Sequence, residues 1–165
     1  MTTIGHFSFH VEASAHRAFD VIADLQGLPQ WDGPVARIDS VDDPEASYER
    51  RTYRVLMRPV VARIALHMTV AAYDPPRLLK LAVNGRFMHS TDTWRVTSHG
   101  HGTHVALTTE HTLIGIFRIF APLFALAKPV QRRALKQLKA IIEDTPQPQP
   151  LAFGDDRAAG PTSPV

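Results

Sequence analysis

A stretch near the C-terminus sets the problem that the rest of the chain must solve. From Ile116 to Glu143 there is no glycine, and apolar residues recur at helical spacing, at Phe120, Leu123, Phe124, Ala127, Ala134, Leu135, Leu138 and Ile142. That pattern predicts one long amphipathic helix or two segments, because Pro122 and Pro129 each remove a helix donor and so start, kink or divide it. Upstream, from Val35 to Leu113, the chain alternates in twos, as strands do. One antiparallel sheet must cover its apolar face, and this helix is the only large amphipathic element available. A strongly twisted sheet wrapped around one helix leaves space that side chains need not fill, a natural ligand pocket.

The order of elements can be read from the N-terminus. Ile4 to Glu12 places Phe7, Phe9 and Val11 on one side and Ser8 and His10 on the other, a half-buried strand. Ser14 is a plausible N-cap for a helix carrying Ala18, Phe19 and Ile22. After Gly27, a second short helical turn at Leu28–Asp32 closes on Gly33-Pro34. Strands follow at Val35–Val41, Tyr48–Met57, Arg63–Tyr73, Leu78–Val83, Ser90–Ser98 and His104–Leu113. Their short connections imply an antiparallel meander. The expected fold is α+β: a curved sheet of about six or seven strands wrapped around a C-terminal helix, with two short helices after the first strand. Residues 1–143 form that domain. Residues 144–165, with their Pro-Gln-Pro-Gln-Pro and Gly-Pro-Thr-Ser-Pro runs, form a tail too poor in apolar residues to offset its ordering entropy.

Composition excludes several chemistries. With no cysteine, there is no disulfide framework, thiol nucleophile or Cys-based zinc site. A net charge of +2 is too mild to argue for nucleic acid. No basic stretch followed by an apolar run opens the chain, so no secretory signal is expected and the cytoplasm is the default compartment. No Gly-x-Ser-x-Gly elbow, phosphate-cradling glycine loop or dinucleotide fingerprint occurs, and no cofactor is expected. His99, His101 and His104 have spacing feasible for imidazole ligands. They fall in a glycine-containing hairpin turn, where an exposed histidine cluster is expected and no metal site.

Several segments carry a family resemblance. These are the opening Phe9-His10-Val11-Glu12-Ala13-Ser14 with Ala18-Phe19-Asp20-Val21-Ile22-Ala23-Asp24, then Leu28-Pro29-Gln30-Trp31. They continue in Asp74-Pro75-Pro76-Arg77-Leu78, Gly102-Thr103-His104-Val105 and the closing Ala134-Leu135-Lys136-Gln137-Leu138-Lys139. In this order the chain resembles the START-like superfamily of polyketide cyclases/dehydrases and lipid-transport proteins, over roughly residues 4 to 143. The resemblance implies a helix-grip fold with a deep apolar pocket. Its members range from lipid carriers through hormone receptors to aromatase/cyclases, so it leaves the activity open.

Alternation assigns candidate site residues to faces. If Trp94 and Leu107 face inward, so do Asp92, Ser90, Thr109 and His111. Pairing across the turn opposes Trp94 with Leu107, Asp92 with Thr109 and Ser90 with His111. Asp92 and His111 are then diagonal neighbours and a usable acid/base pair, or residues that merely solvate a pocket mouth. Tyr53 could donate to a ligand carbonyl or simply pack, and completes the catalytic candidates. Arg51 shares parity with Tyr53, Val55 and Met57, and either meets a ligand oxygen or snorkels to solvent. Trp31 and Asp32 edge the cavity, Leu66, Met68 and Leu81 line it, and the helix near Phe120 and Phe124 gates it. Three functions fit: binding of a small hydrophobic ligand (lipid, polyketide or aromatic-like), a cofactor-independent cyclase/dehydratase, or an interaction module. The last would use the apolar helix face and Lys128, Arg132, Arg133, Lys136 and Lys139 in a peripheral contact with a membrane or protein. Oligomeric state is left open.

Overall fold

The computed structural model describes residues 2–41, 47–58, 64–115 and 128–144. Strand β1 (Thr2–Val11) leads into helix α1 (Ala15–Ala23) and a 3-10 helix (Leu25–Gln30). Six strands follow: β2 (Val35–Ser40), β3 (Thr52–Met57), β4 (Ala65–Asp74), β5 (Leu78–Asn84), β6 (Met88–His99) and β7 (Gly102–Leu113). Helix α2 (Lys128–Asp144) closes the described chain, with Pro129 in its first turn, where a missing backbone donor costs least.

The seven strands form one antiparallel sheet in the order β1-β7-β6-β5-β4-β3-β2. The meander from β2 to β7 follows from the short connections. The place of β1 does not: it pairs with β7 along its whole length, from Thr2 opposite Thr112 to Val11 opposite Thr103. β1 and β2 therefore lie at opposite edges, and α1 with the 3-10 helix carries the chain across one face between them.

Local chemistry explains both helices. The Ser14 hydroxyl accepts from the Arg17 amide at 3.2 Å and satisfies one of the orphan donors of the first turn. Ala15, Ala18, Phe19 and Ile22 are the buried residues of α1, spaced to make one apolar stripe. Asp24 caps the 3-10 helix in the same way, accepting from Gly27 N at 3.2 Å. Gly27 is a position where a Cβ would stand 2.7 Å from Asp24 Oδ2, so the cap and the glycine require each other.

The concave face is built by alternation. Tyr53 and Val55 on β3, Leu66, Met68 and Val70 on β4, and Leu79 and Leu81 on β5 are buried. Trp94 and Val96 on β6 and Val105 and Leu107 on β7 continue the layer. Two departures from simple alternation occur. In β4 the register shifts between Val70 and Ala72. This extra residue turns Tyr73 onto the core side, where its ring lies 5.6 Å from Phe19 and 4.3 Å from Tyr48. The second departure is that β3 starts at Thr52, later than Tyr48: Arg50 just before it has φ 76°, and the Tyr48 hydroxyl donates to the Ala23 carbonyl, tying that stretch to α1.

Helix α2 buries Ala134, Leu135, Leu138 and Ile142 and packs on α1 and β1. The Glu143 carboxylate accepts from the Glu12 amide at 3.0 Å, pinning the end of the helix to the end of β1. Residues 116–127, including Phe120 and Phe124, and residues 145–165 lie outside the described residues. Leu138 has no exposed surface. Leu138→Ala is expected to lower stability by roughly 2–5 kcal/mol, read as a fall in the urea midpoint with the slope unchanged.

Candidate functional site

The hairpin of β6 and β7 sets the geometry. Its two-residue turn, Gly100-His101, has Gly100 at φ 61°, a backbone that glycine adopts without steric cost and that matches the twist of the strands. From that turn the register runs as expected, with Trp94 opposite Leu107, Asp92 opposite Thr109 and Ser90 opposite His111. On the neighbouring strand Leu81 faces Asp92 and Val83 faces Ser90.

The result is a polar strip set into an apolar face. Ser90 and Thr109 are two of the three buried polar side chains among the described residues. Gly5 lies opposite Thr109, and a Cβ there would come within 2.8 Å of the Thr109 hydroxyl, so the glycine leaves that hydroxyl its room. The Ser90 hydroxyl donates to Asp92 Oδ1 over a long 3.5 Å.

Tertiary packing adds a second carboxyl. Trp31 is 5% exposed and meets Trp94 edge to face, with ring centroids 6.0 Å apart. This contact seats the end of the 3-10 helix on β6. The Asp32 amide donates to Leu28 O at 2.9 Å and its carbonyl accepts from Val35 N at 2.9 Å, which fixes the residue where the chain enters β2. Burial lifts the Asp92 carboxyl to about 7; the Asp32 charge pushes the same way, and the Ser90 hydrogen bond opposes weakly. Burial alone lifts Asp32 to about 6. His111 is half-buried, and burial lowers its pKa, favouring the neutral imidazole. Two carboxyls whose pKa burial raises, with an imidazole on the same face whose pKa burial lowers, can supply both a proton donor and an acceptor in apolar surroundings.

The structure divides the expected site residues into groups. Asp92, Ser90, Thr109, His111, Trp94, Leu107, Leu81 and Trp31 come together around the strip. Val55, Leu66 and Met68 are buried further along the same face, and Met57 is half-buried at the end of β3. Tyr53 is separated from the strip: it pairs with Met68, Met68 with Val83, and Val83 with Ser90. Three inter-strand steps make ~14 Å between Tyr53 and Ser90. Arg51 and Tyr53 instead line a cleft at the end of α1. Asp32 is the site residue whose partnership the sequence did not show. Its position beside Trp31 in the short helix was the available signal.

The turn histidines lie at the surface. His99, His101 and His104 are exposed, the His10 and His99 rings are 6.3 Å apart, and the described residues contain no group of three or more potential ligands placed to hold a metal. No helix among the described residues is long and apolar enough to cross a membrane.

Comparison with known proteins points in one direction. The family model described as polyketide cyclase / dehydrase and lipid transport matches residues 5–143. No curated protein matches. Among solved structures, the Zhui aromatase/cyclase from Streptomyces sp. R1128 superposes with a TM-score of 0.71 at 13% identity, over 86% of this chain and 94% of that one. A START superfamily protein from Mycobacterium smegmatis gives 0.70 at 12% identity, over 84% and 96%. Norcoclaurine synthase from Thalictrum flavum gives 0.65 at 15% identity, over 88% and 96%. At these identities the likeness is one of fold.

A carboxyl whose pKa is raised by folding stabilises the protein only while it stays protonated in the folded state. The sign follows: the favourable contribution is complete below pH ~4, the unfolded value, and is lost as pH rises through about 7. Asp92→Asn, which stays neutral, should therefore raise stability at pH 8 by on the order of 2–4 kcal/mol, with the gain shrinking toward zero at pH 4. Urea melts across that range measure it.

Proposed function

The chain belongs to the polyketide cyclase/dehydrase and lipid-transport family, and from that premise we propose that it holds a small apolar ligand between the concave face of the sheet and the C-terminal helix. The observation that carries this reading is the concave face itself. Val55, Leu66, Met68, Leu81, Trp94 and Leu107 form a broad apolar floor, and the polar side chains set into it are gathered in one strip around Asp92. An apolar ligand gains from the floor, while one hydrogen-bonding group on it would be oriented by the strip. The Zhui neighbour is an aromatase/cyclase, which is consistent with a polyketide-like or other aromatic ligand here. No cofactor is required by this reading.

A second reading, favoured by the acidity of the strip, is that the ligand is also a substrate. Asp92 and Asp32, poised near neutral pH, and His111, held neutral, would move protons at a carbonyl-bearing ligand without any cofactor. Tyr53, three strands away on the same face, would take part only if the ligand reached that far across the sheet.

Thermal melts and native mass spectrometry with a panel of fatty acids, polycyclic phenols and aromatic ketones test the first reading. A matching ligand at 100 times its Kd should stabilise the fold by ~2.7 kcal/mol, several degrees in Tm, and a panel that leaves Tm unmoved would count against it. For the second, His111→Ala should abolish turnover of a bound carbonyl compound while its binding persists. An unaltered rate removes His111 from the chemistry.

A further inference from the structure

The two edges of the sheet are finished differently. At one edge, β2 is six residues long, follows Pro34 and breaks register between Val35 and Arg37. It also carries Arg37 and Asp39 as an ion pair at 2.6 Å. Short length, proline, a bulge and charge are the devices that keep an edge from adding another strand. At the other edge, β1 has none of them. It is ten residues long, pairs with β7 without a break in register, and contains no proline, lysine, arginine, aspartate or glutamate.

We propose that this edge docks β1 of a second copy of the chain, joining two sheets antiparallel into one. The open stretch runs from Thr2 to His10. Beyond it, Val11 has no exposed surface and the Glu12 amide is taken up by Glu143. Among the described residues no strand lies on the outer side of β1.

The residues of the strand select its own copy as the partner. Without lysine, arginine or a carboxylate on it, β1 meets itself with no like-charge repulsion, and a partner chosen by charge finds nothing to read. A two-fold axis perpendicular to the sheet sets each residue opposite one that points to the same side. Pairing the whole open stretch puts that axis at His6. Gly5 then stands opposite Phe7 of the second copy, and the same pair recurs across the axis, so neither ring meets a bulky side chain head-on. Ile4, an exposed large apolar side chain, gains cover opposite Ser8 of the second copy. The concave faces of both copies stay on the same side, and the ligand site proposed for each is left as it is.

Edge pairing alone makes a small interface, so a dissociation constant on the order of 100 µM is expected. Analytical ultracentrifugation of the full chain at pH 8 and low salt tests this, from roughly 1 µM to roughly 1 mM. The mass should rise from monomer to dimer across that range. His6 is exposed on the convex face, and a charge placed there meets its own copy on the axis. His6→Lys and His6→Glu should each weaken the dimer by about fivefold, while an equimolar mixture of the two associates at least as tightly as the unaltered chain. Thr91→Lys, two strands in from the edge, should leave association unchanged. Amide hydrogen exchange of the unaltered chain gives a reading that needs no variant: outward-facing amides between Thr2 and His10 should slow as concentration rises. A chain that stays monomeric throughout would overturn the proposal, as would folded His6 variants that each dimerise as the unaltered chain does. Slow exchange of those amides already in the monomer would overturn it too, assigning the edge to residues 145–165 of the same chain.

Discussion

A single sheet with one apolar face is stable only if other parts of the chain lie across that face. Here much of the constraint falls on the passage between β1 and β2, which sit at opposite edges of seven strands. The chain must travel over the concave side to join them, and α1 and the 3-10 helix are that passage. Their caps, Ser14 and Asp24, decide where each helix starts. The edge-to-face contact of Trp31 with Trp94 decides how far down the face the passage is drawn. Helix α2, anchored through Glu143 to the end of β1, covers the side near α1.

The same covering sets the chemistry. A carboxyl at position 92 of an open sheet would be an ordinary solvated acid. With the passage in place it is half-buried and close to a second acid, and the loss of hydration raises the pKa of both carboxyls toward neutrality. This arrangement weakens the fold above that range. A chain built for stability alone would place apolar or amide side chains there.

Which parts of this were legible in the sequence follows from the range of the interactions involved. The β6–β7 register was legible because a short glycine-containing turn leaves little freedom, and the faces of Asp92, Thr109 and His111 then follow from a period of two. The Ser14 cap and the buried stripe of α1 were legible for a similar reason, since all the interacting groups lie within one or two turns. The inward turn of Tyr73 was hidden by a bulge in β4 that no residue pattern announces. The left-handed backbone at Arg50 was equally hidden.

The sequence by itself determined the order of elements, the buried face of nearly every strand and the absence of thiol chemistry, because periodicity and composition are local properties. Only the tertiary structure decided that β1 closes against β7, that Asp32 lies near enough to Asp92 to disturb its acidity, and that Tyr53 also lines a cleft at the end of α1. Those outcomes depend on distances between residues far apart in the chain, and such distances are set by packing across the sheet, which no short window of sequence contains.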